Sequence, residues 1–270
     1  MQKYILMAVA GMLALSSCSN DDNEQTPQNT PRQMTFTAGY NDDAQTRATM
    51  DFSTKKVSFD ANDEISILSA NNTNTKFTTS AGGASATFTG TATDDSKFYA
   101  VYPYTSGLAL SGNVITGVVI PASQWNDLWA DWDANSSWDP KAPVAYATTT
   151  GSSLQFHNLC AILKIHVNGG WIAWTTISAD QNMAGTFSLD TSTSPATLTA
   201  TAGSKTVTIG SKNNNINAAD DYWYIAIAPG SYTNFKVHPE GGYGSPDEKT
   251  KASVTFEAGK VYDLGSFLPW

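Results

Sequence analysis

The chain has 270 residues, a formal net charge of −9 at pH 7 and 41% hydrophobic residues, which is enough for one large globular domain or two smaller ones. Its 15 Lys and Arg residues are scattered and form no basic run, which argues against nucleic acid as a partner. With three His and two Cys, the chain shows no zinc-type ligand spacing, and we expect no cofactor.

The N-terminus has the pattern of a bacterial lipoprotein signal. Lys3 supplies a positive charge, and an apolar run follows over residues 4–15. A run of about a dozen residues is shorter than the ~20 that a membrane-spanning helix needs, so it fits a cleaved signal sequence. Small residues then lead to Cys18, the position at which such signals are cut and acylated. The sequence therefore predicts a signal peptide over residues 1–17 and lipidation of Cys18; an ordinary signal peptide with an incidental cysteine is the alternative.

Residues 18–32 are polar, acidic near Cys18 and interrupted by prolines. Such a segment cannot bury enough apolar surface to fold, so we expect a disordered acidic tether that lifts the folded part off the membrane. The acidic cluster resembles the surface-export signal of Bacteroidetes lipoproteins. The expected location is therefore the cell surface, as an outer-membrane lipoprotein.

The remainder of the chain has β composition, rich in Thr, Ser, Asn, Gly and aromatic residues. Short strand candidates separated by turn residues follow one another, as in sandwiches and barrels. Examples are residues 33–40, 64–70, 114–120 and 160–167, the last an apolar run typical of a core strand covered on both faces. We expect an N-terminal β domain over residues 33–149 and a C-terminal β domain over residues 150–270.

Residues 121–143 are predicted to form a long loop or insertion. The segment contains four tryptophans among Asn and Asp residues, namely Trp125, Trp129, Trp132 and Trp138. Long loops are often functional, and exposed Trp beside polar groups suits sugar stacking or a protein contact. Packing of the same indoles between the two domains would make them structural. Both interpretations stay open.

The same loop spaces oxygen-bearing side chains as a calcium loop does, at Asp131, Asp133, Asn135 and Asp139. Calcium takes about six to eight oxygen ligands, and the glycine and the bidentate glutamate of an EF-hand loop are missing here. A solvated acidic loop is the favoured interpretation, and a weak surface calcium site is the alternative.

The sequence shows no catalytic constellation. His157 and His166 lie in or beside the predicted core strand, and no nucleophile-elbow motif accompanies them, so we expect structural roles. Cys160 lies in the same apolar segment and is expected to be a small buried hydrophobe. Spacing alone leaves a glycosidase pair of carboxylates open, but no acidic residue stands in a recognisable active-site setting. The protein is predicted not to be an enzyme.

Several short segments, in order along the chain, resemble motifs of the fimbrillin family, the pilus subunits and related surface lipoproteins of Bacteroidetes. They are TRA at 46–48 with FDANDEISI at 59–67, FYAVYPY at 98–104, FHNLCAILKI at 156–165, YIAIAPG at 224–230 and AGKVYDL at 258–264. Phe59 and Asn62 stand where the family usually has Trp and Gly. The resemblance implies two transthyretin-like antiparallel β-sandwich domains in tandem.

The resemblance also implies a function, that of a structural or accessory subunit of a cell-surface pilus that serves cell adhesion. In family pilins an Arg-specific protease cuts after the first strand, the strand leaves, and a strand of the next subunit fills the vacated groove. Main-chain hydrogen bonds and alternate side chains hold the incoming strand. Other pilus subunits are the implied partners, and the lipid links the chain to the outer membrane.

On this chain the resemblance makes residues 33–40 the removable strand, with Met34, Phe36 and Ala38 on one face. Arg47 becomes the site of proteolytic processing, with a solvated loop arginine as the alternative. Arg32, the other arginine, precedes the strand, so a cut there would leave the strand in place.

The implied donor strand is the C-terminal segment 261–270. Asp263 and Gly265 interrupt a clean alternation of apolar residues, which leaves the register open. The residues implied to fill the groove are Val261, Leu264, Phe267 and Leu268.

A second function follows from the Trp-rich segment instead of from the resemblance. A stand-alone surface lipoprotein would bind a glycan or a host protein through that loop. Partners would then be host molecules and not pilus subunits.

Overall fold

The computed structural model describes residues 30–40, 49–51, 56–126, 136–139, 141–167, 172–211, 221–241 and 248–267. All regular secondary structure in these residues is β-strand, which confirms the all-β prediction. Within this described part, no helix is long and apolar enough to cross a membrane. The predicted signal peptide, Cys18 and most of the predicted tether lie outside the described residues.

The strands are short and are numbered in chain order. The strands before residue 140 are β1 (Arg32–Tyr40), β2 (Thr49–Asp51), β3 (Lys56–Ser58), β4 (Glu64–Ser69), β5 (Asn72–Thr79), β6 (Ser85–Ala92), β7 (Phe98–Tyr102), β8 (Ala109–Ser111), β9 (Val114–Ile120), β10 (Ser123–Asn126) and β11 (Ser136–Trp138). The strands after it are β12 (Ala145–Thr149), β13 (Ser153–Asn158), β14 (Ala161–Val167), β15 (Ile172–Ser178), β16 (Ala184–Asp190), β17 (Thr197–Ser204), β18 (Thr206–Ser211), β19 (Asp221–Ile227), β20 (Gly230–Gly241), β21 (Lys249–Phe256) and β22 (Val261–Phe267).

Seven strands close into a barrel in the order β1-β13-β12-β7-β4-β5-β6. Their side chains alternate between the interior and the outer surface, as the pleat of a strand requires. The interior is filled mainly by aromatic rings, which include Phe36, Phe59, Phe77, Phe88, Phe98, Tyr102 and Phe156. The first strand of the chain therefore contributes to the centre of this core.

The other large sheets surround a second core. Their strand orders are β10-β18-β15-β20-β21, β11-β19-β14-β22 and β17-β16-β9-β8. The apolar run over residues 160–167 lies at the centre as β14, and Ile162, Leu163 and Ile165 are fully buried, as predicted for a strand covered on both faces. The predicted loop 121–143 is wrong in part, because it contains β10 and β11.

Strand pairing crosses residue 150 in both directions. Strands β9, β10 and β11 pair with β16, β18 and β19, whereas β13 joins the barrel beside β1. Leu68, Tyr99 and Val101 from barrel strands belong to the second core cluster. The division into residues 33–149 and 150–270 stays a prediction, as do the tandem transthyretin-like sandwiches.

Cys160 is buried, whereas His166 is half-buried and His157 is exposed. Cys160 is fully buried and free, and its Sγ accepts a hydrogen bond from Val144 N at 3.3 Å. Burial raises the pKa of this thiol to about 12. His166 stacks on Tyr222, with ring centroids 4.5 Å apart, whereas His157 is exposed.

We expect Cys160 to resist alkylation in the folded protein, because the thiolate is the reactive form. A pKa of about 12 in place of 9.0 leaves roughly a thousandfold less thiolate at pH 8. Iodoacetamide treatment of a Cys18→Ser variant, followed by mass spectrometry, should show labelling in denaturant but not in buffer. Labelling at the denatured rate in buffer would contradict the buried position.

Candidate functional site

The slot occupied by β1 is the part of the fold that matches the predicted removable strand. β1 lies between β6 and β13. It pairs antiparallel with β6 from Arg32 to Gly39, almost its whole length. Its parallel pairing with β13 covers only the stretch from Thr37 to Tyr40. Among the described strands, β1 is therefore held at both edges over its C-terminal part and by β6 alone over its N-terminal half.

Alternate side chains of β1 point into the barrel. Phe36 is 1% exposed and Ala38 is fully buried, while Met34 is half-buried at the end of the core. The Phe36 ring lies 5.2 Å from that of Phe98 and 5.4 Å from that of Phe77, measured between centroids. The three side chains that the sequence predicts for the inner face thus share that face, with Phe36 and Ala38 in the barrel core and Met34 packed against it.

A cavity of about 340 Å³ lies beside the N-terminal half of β1. Its walls include Phe36, Phe98 and the turn residues 150–152. At the end of the strand, Arg32 forms an exposed ion pair with Asp94, with Nη2 and Oδ2 2.7 Å apart. Exposed ion pairs contribute little to stability, so this end of β1 is the less firmly attached one.

The predicted processing site follows β1 directly. β1 ends at Tyr40 and the next strand begins at Thr49. Arg47 falls between them and lies outside the described residues. Its exposure and its cleavage stay predictions.

The predicted donor segment forms β22, an edge strand that pairs only with β14 among the described strands. Gly265 has a φ of +80°, and the pairing register shifts there by a bulge. The extra residue offsets the interruption of the alternation. Val261 and Leu264 are half-buried against the second core. Leu268 and the Phe267 side chain lie outside the described part.

Polar contacts join β22 to β14. Lys164 Nζ lies 3.3 Å from Asp263 Oδ2, and His166 Nδ1 lies 2.7 Å from Ser266 Oγ. Partial burial opposes ionisation of Asp263, but hydrogen bonds from Gly265 N and the nearby Lys164 outweigh it and lower the pKa of that carboxyl. These contacts hold the predicted donor strand to its own chain.

Lys249 of β21 covers the outer edge of β22. Its Nζ donates hydrogen bonds to the carbonyl oxygens of Ser266 at 2.8 Å and Leu264 at 3.3 Å. A lysine along an edge strand obstructs pairing with another chain. Lys249 therefore protects the edge of β22 that pairs with no described strand.

Only part of the predicted Trp-rich loop lies in the described residues, and that part includes two short strands. Trp125 lies on β10 and is half exposed, and the backbone of Trp138 pairs with Tyr224 as part of β11. Trp129 and Trp132 lie outside the described residues. The loop as a ligand site stays a prediction.

Only one of the four calcium candidates lies in the described part of the chain. Asp139 Oδ1 accepts a hydrogen bond from Lys141 N at 2.9 Å, and Oδ2 accepts one from Trp125 N at 3.2 Å. Both oxygens thus cap backbone donors. Asp131, Asp133 and Asn135 lie outside the described residues. Across the residues that the structure does describe, no group of three His, Cys, Asp or Glu side chains could hold a metal ion.

Sequence reasoning missed Gln124, which fixes β10 to the second core. Its side chain is almost fully buried, donates to Ala226 O at 2.6 Å and accepts from Ala226 N at 2.9 Å. The Gln124 amide thus forms the two hydrogen bonds to the Ala226 backbone that a neighbouring strand would otherwise form. No local pattern in the sequence marks this residue, because the polar Gln124 is buried while the apolar Trp125 beside it is half exposed.

Comparison with known proteins shows a similarity of fold. A putative cell adhesion protein from Bacteroides uniformis matches with a TM-score of 0.51 and 17% identity, over 86% of this chain and 92% of that chain. A putative cell adhesion protein from Bacteroides ovatus matches with a TM-score of 0.45 and 13% identity, over 77% of this chain and 83% of that chain. The tip fimbrial protein Mfa3 from Porphyromonas gingivalis, with a C-terminal truncation, matches with a TM-score of 0.37 and 10% identity, over 89% of this chain and 96% of that chain.

No protein-family model matches the sequence, and no curated protein matches it significantly. The resemblance that the sequence motifs indicated is confirmed at the level of the fold by the Bacteroides uniformis protein.

Proposed function

We propose that this protein is a structural or accessory subunit of a cell-surface pilus and that it assembles by exchange of its first strand. The observation that carries the proposal is the position of β1. It fills a slot in an aromatic core, yet among the described strands its N-terminal half is paired with β6 alone. The fold similarity to a putative cell adhesion protein supports a role in adhesion.

In the proposed sequence of events, the chain is exported as a lipoprotein acylated at Cys18 and carried on its tether to the cell surface. An Arg-specific protease then cuts after Arg47, and residues 18–47 leave with β1. If Arg47 stays intact, Cys18 keeps the subunit at the outer membrane, as a pilus base would require. The lipid thus either delivers the subunit to the cell surface and is then lost, or keeps the subunit anchored there.

The vacated slot has the properties that a strand-shaped ligand needs. β6 offers an antiparallel edge, and β13 offers a parallel edge over part of the length. The spaces of Phe36 and Ala38 become pockets for alternate side chains of the incoming strand. Burying one Phe-sized side chain is worth about 1.5–3 kcal/mol, so the open slot strongly favours capture of a new strand.

The proposed donor is the C-terminal segment from β22 onward, with Val261, Leu264, Phe267 and Leu268 as the groove-filling side chains. Its position as an edge strand supports this assignment, because release breaks one set of strand pairings. Release must also break the contacts of Asp263 with Lys164 and of Lys249 with the β22 carbonyls. The donor strand is thus stored in a bound form.

The proposal keeps two transthyretin-like domains. The buried side chains form two core clusters, each with members from both sides of residue 150, so strands of each half would complete the core of the other. One domain would accept the strand and the other would donate it. Other subunits of the pilus, as identical or different chains, are then the partners.

The test is digestion with an Arg-specific protease. We expect one cut after Arg47, release of the segment that contains β1, and ladders of SDS-resistant oligomers on gels. An Arg47→Lys variant should stay intact and monomeric, whereas the matched Arg32→Lys variant should assemble like the original protein. A chain that is cut after Arg47 and stays monomeric would contradict the proposal.

A further inference from the structure

Two exposed tryptophans stand on either side of one glycine on a sheet face. Trp125 on β10 is 50% exposed and Trp174 on β15 is 40% exposed. Both are paired with Gly210 of the intervening strand β18. Neighbouring strands lie about 4.8 Å apart, so the two indoles begin from backbone positions roughly 10 Å apart. No side chain stands between them at that position.

The burial of the neighbouring residues identifies this face as the outer one. Gln124, Thr175 and Ile209, which are adjacent in sequence to the Trp125, Trp174 and Gly210 row, are all buried. The Gln124 side chain is bonded to the backbone of Ala226, which fixes β10 at this point. The strand that carries Trp125 is therefore attached to β18 by backbone pairing and to Ala226 of β19 through Gln124.

A row of polar side chains runs beside the indoles. Ser123, Thr208 and Thr176 are register partners on β10, β18 and β15, and Thr176 is paired with His238 on β20. The hydroxyl oxygens of Thr176 and Thr208 lie 3.5 Å apart. Residues two apart along a strand are separated by about 7 Å, so this row lies within reach of a ligand placed on the indoles.

The charges of this face favour a neutral ligand. Lys236 lies 3.0 Å and His238 3.8 Å from the Glu248 carboxylate, so the basic side chains that β20 places here face an acid. Glu240 lies opposite Trp174 and adds a second carboxylate to the face. An anionic ligand would be repelled by these groups.

We propose that this face binds a neutral glycan. A sugar ring has an apolar C–H surface, which packs on the negative face of an indole, and hydroxyl groups, which the Ser and Thr row can bond. Tryptophan supplies this contact area at a low cost in conformational entropy, because it has only two side-chain torsions. A stable protein interface needs about 1,000 Å² or more of buried surface, far more than two indoles provide. The site lies on a sheet that does not contain β1, so it does not depend on strand exchange.

The experiment probes an array of neutral and sialylated oligosaccharides with the intact protein. We expect binding to a subset of neutral glycans and about tenfold or greater loss of affinity, by calorimetry on the best one, in Trp125→Ala and in Trp174→Ala. Trp→Phe variants at the same positions should keep part of the affinity. Val119→Ala removes another exposed hydrophobic side chain, 38% exposed on β9, and should change nothing.

Circular dichroism establishes that each variant is folded. Absence of binding to every neutral glycan, binding that survives both Trp→Ala changes, or preference for sialylated over neutral glycans would each overturn the proposal. A decrease in Val119→Ala equal to that in the Trp variants would also overturn it, because the contact would then be non-specific.

Discussion

Replacement of Phe36 by alanine is expected to lower the free energy of unfolding of the uncut protein by about 3–5 kcal/mol. The side chain is 1% exposed and packs against Phe77 and Phe98, so its removal leaves a cavity in the barrel. Thr35→Ala, at the exposed neighbouring position, should cost less than about 1 kcal/mol. Equilibrium unfolding in urea, with constant m-values, measures both changes.

The effect of the same substitution on the assembled oligomer tests whether β1 has left the subunit. If β1 leaves with the cut segment, Phe36→Ala should not change the stability of the oligomer against SDS and heat. Phe88 on β6 lies opposite Phe36 and is fully buried, but it remains in the subunit. Phe88→Ala should therefore weaken both the uncut protein and the oligomer. An oligomer weakened equally by the two changes would mean that β1 stays in its slot.

Strands with strong local patterns could be predicted from the sequence. β9 has the bounds that its β-branched residues and flanking turn predict, and β14 is the doubly covered strand that its apolar run indicates. The inner face of β1 follows from the alternation of Met34, Phe36 and Ala38. In each case the information lies within a few consecutive residues, because period and burial are local properties of a strand.

Features that depend on distant partners could not be predicted. β10 and β11 are short, and each pairs in parallel with a strand far along the chain. The proximity of Trp125 and Trp174 arises only because β18 lies between their strands. The pairing of strands that are distant in the chain cannot be predicted from local sequence. The sequence therefore groups Trp125 with the other tryptophans of residues 121–143 and does not identify Trp174. Gln124 escapes prediction for the same reason.

The sequence predicts a strand at β22 but not its register. The alternation is broken at Asp263 and Gly265, and a simple two-residue period leaves the register of the donor open. The bulge at Gly265 supplies the missing step, with Asp263 Oδ1 accepting a hydrogen bond from Gly265 N at 2.8 Å. A positive φ is available to glycine at little cost, but its use at this point depends on the neighbouring strand.

A disulfide between β1 and β6 is expected to abolish assembly completely. Thr37 and Thr87 lie directly opposite each other in the two strands, and both are exposed. Opposed residues in an antiparallel pair have Cα atoms about 4.5–5.5 Å apart, within the range of a disulfide. In a Cys18→Ser background, the Thr37→Cys, Thr87→Cys protein should be cut after Arg47 yet keep its N-terminal segment. Gels should show no oligomers until a reductant is added.

The matched control places the same type of cross-link where no strand is proposed to move. Ser231 and Thr255 are opposed on β20 and β21, and their side-chain oxygens lie 2.9 Å apart. The Ser231→Cys, Thr255→Cys protein should assemble with or without reductant. Cys160 does not compete for pairing, because it is buried and its raised pKa keeps it protonated. Oligomers formed by the oxidised β1–β6 variant would rule out departure of β1, since the cross-linked strand cannot leave its slot.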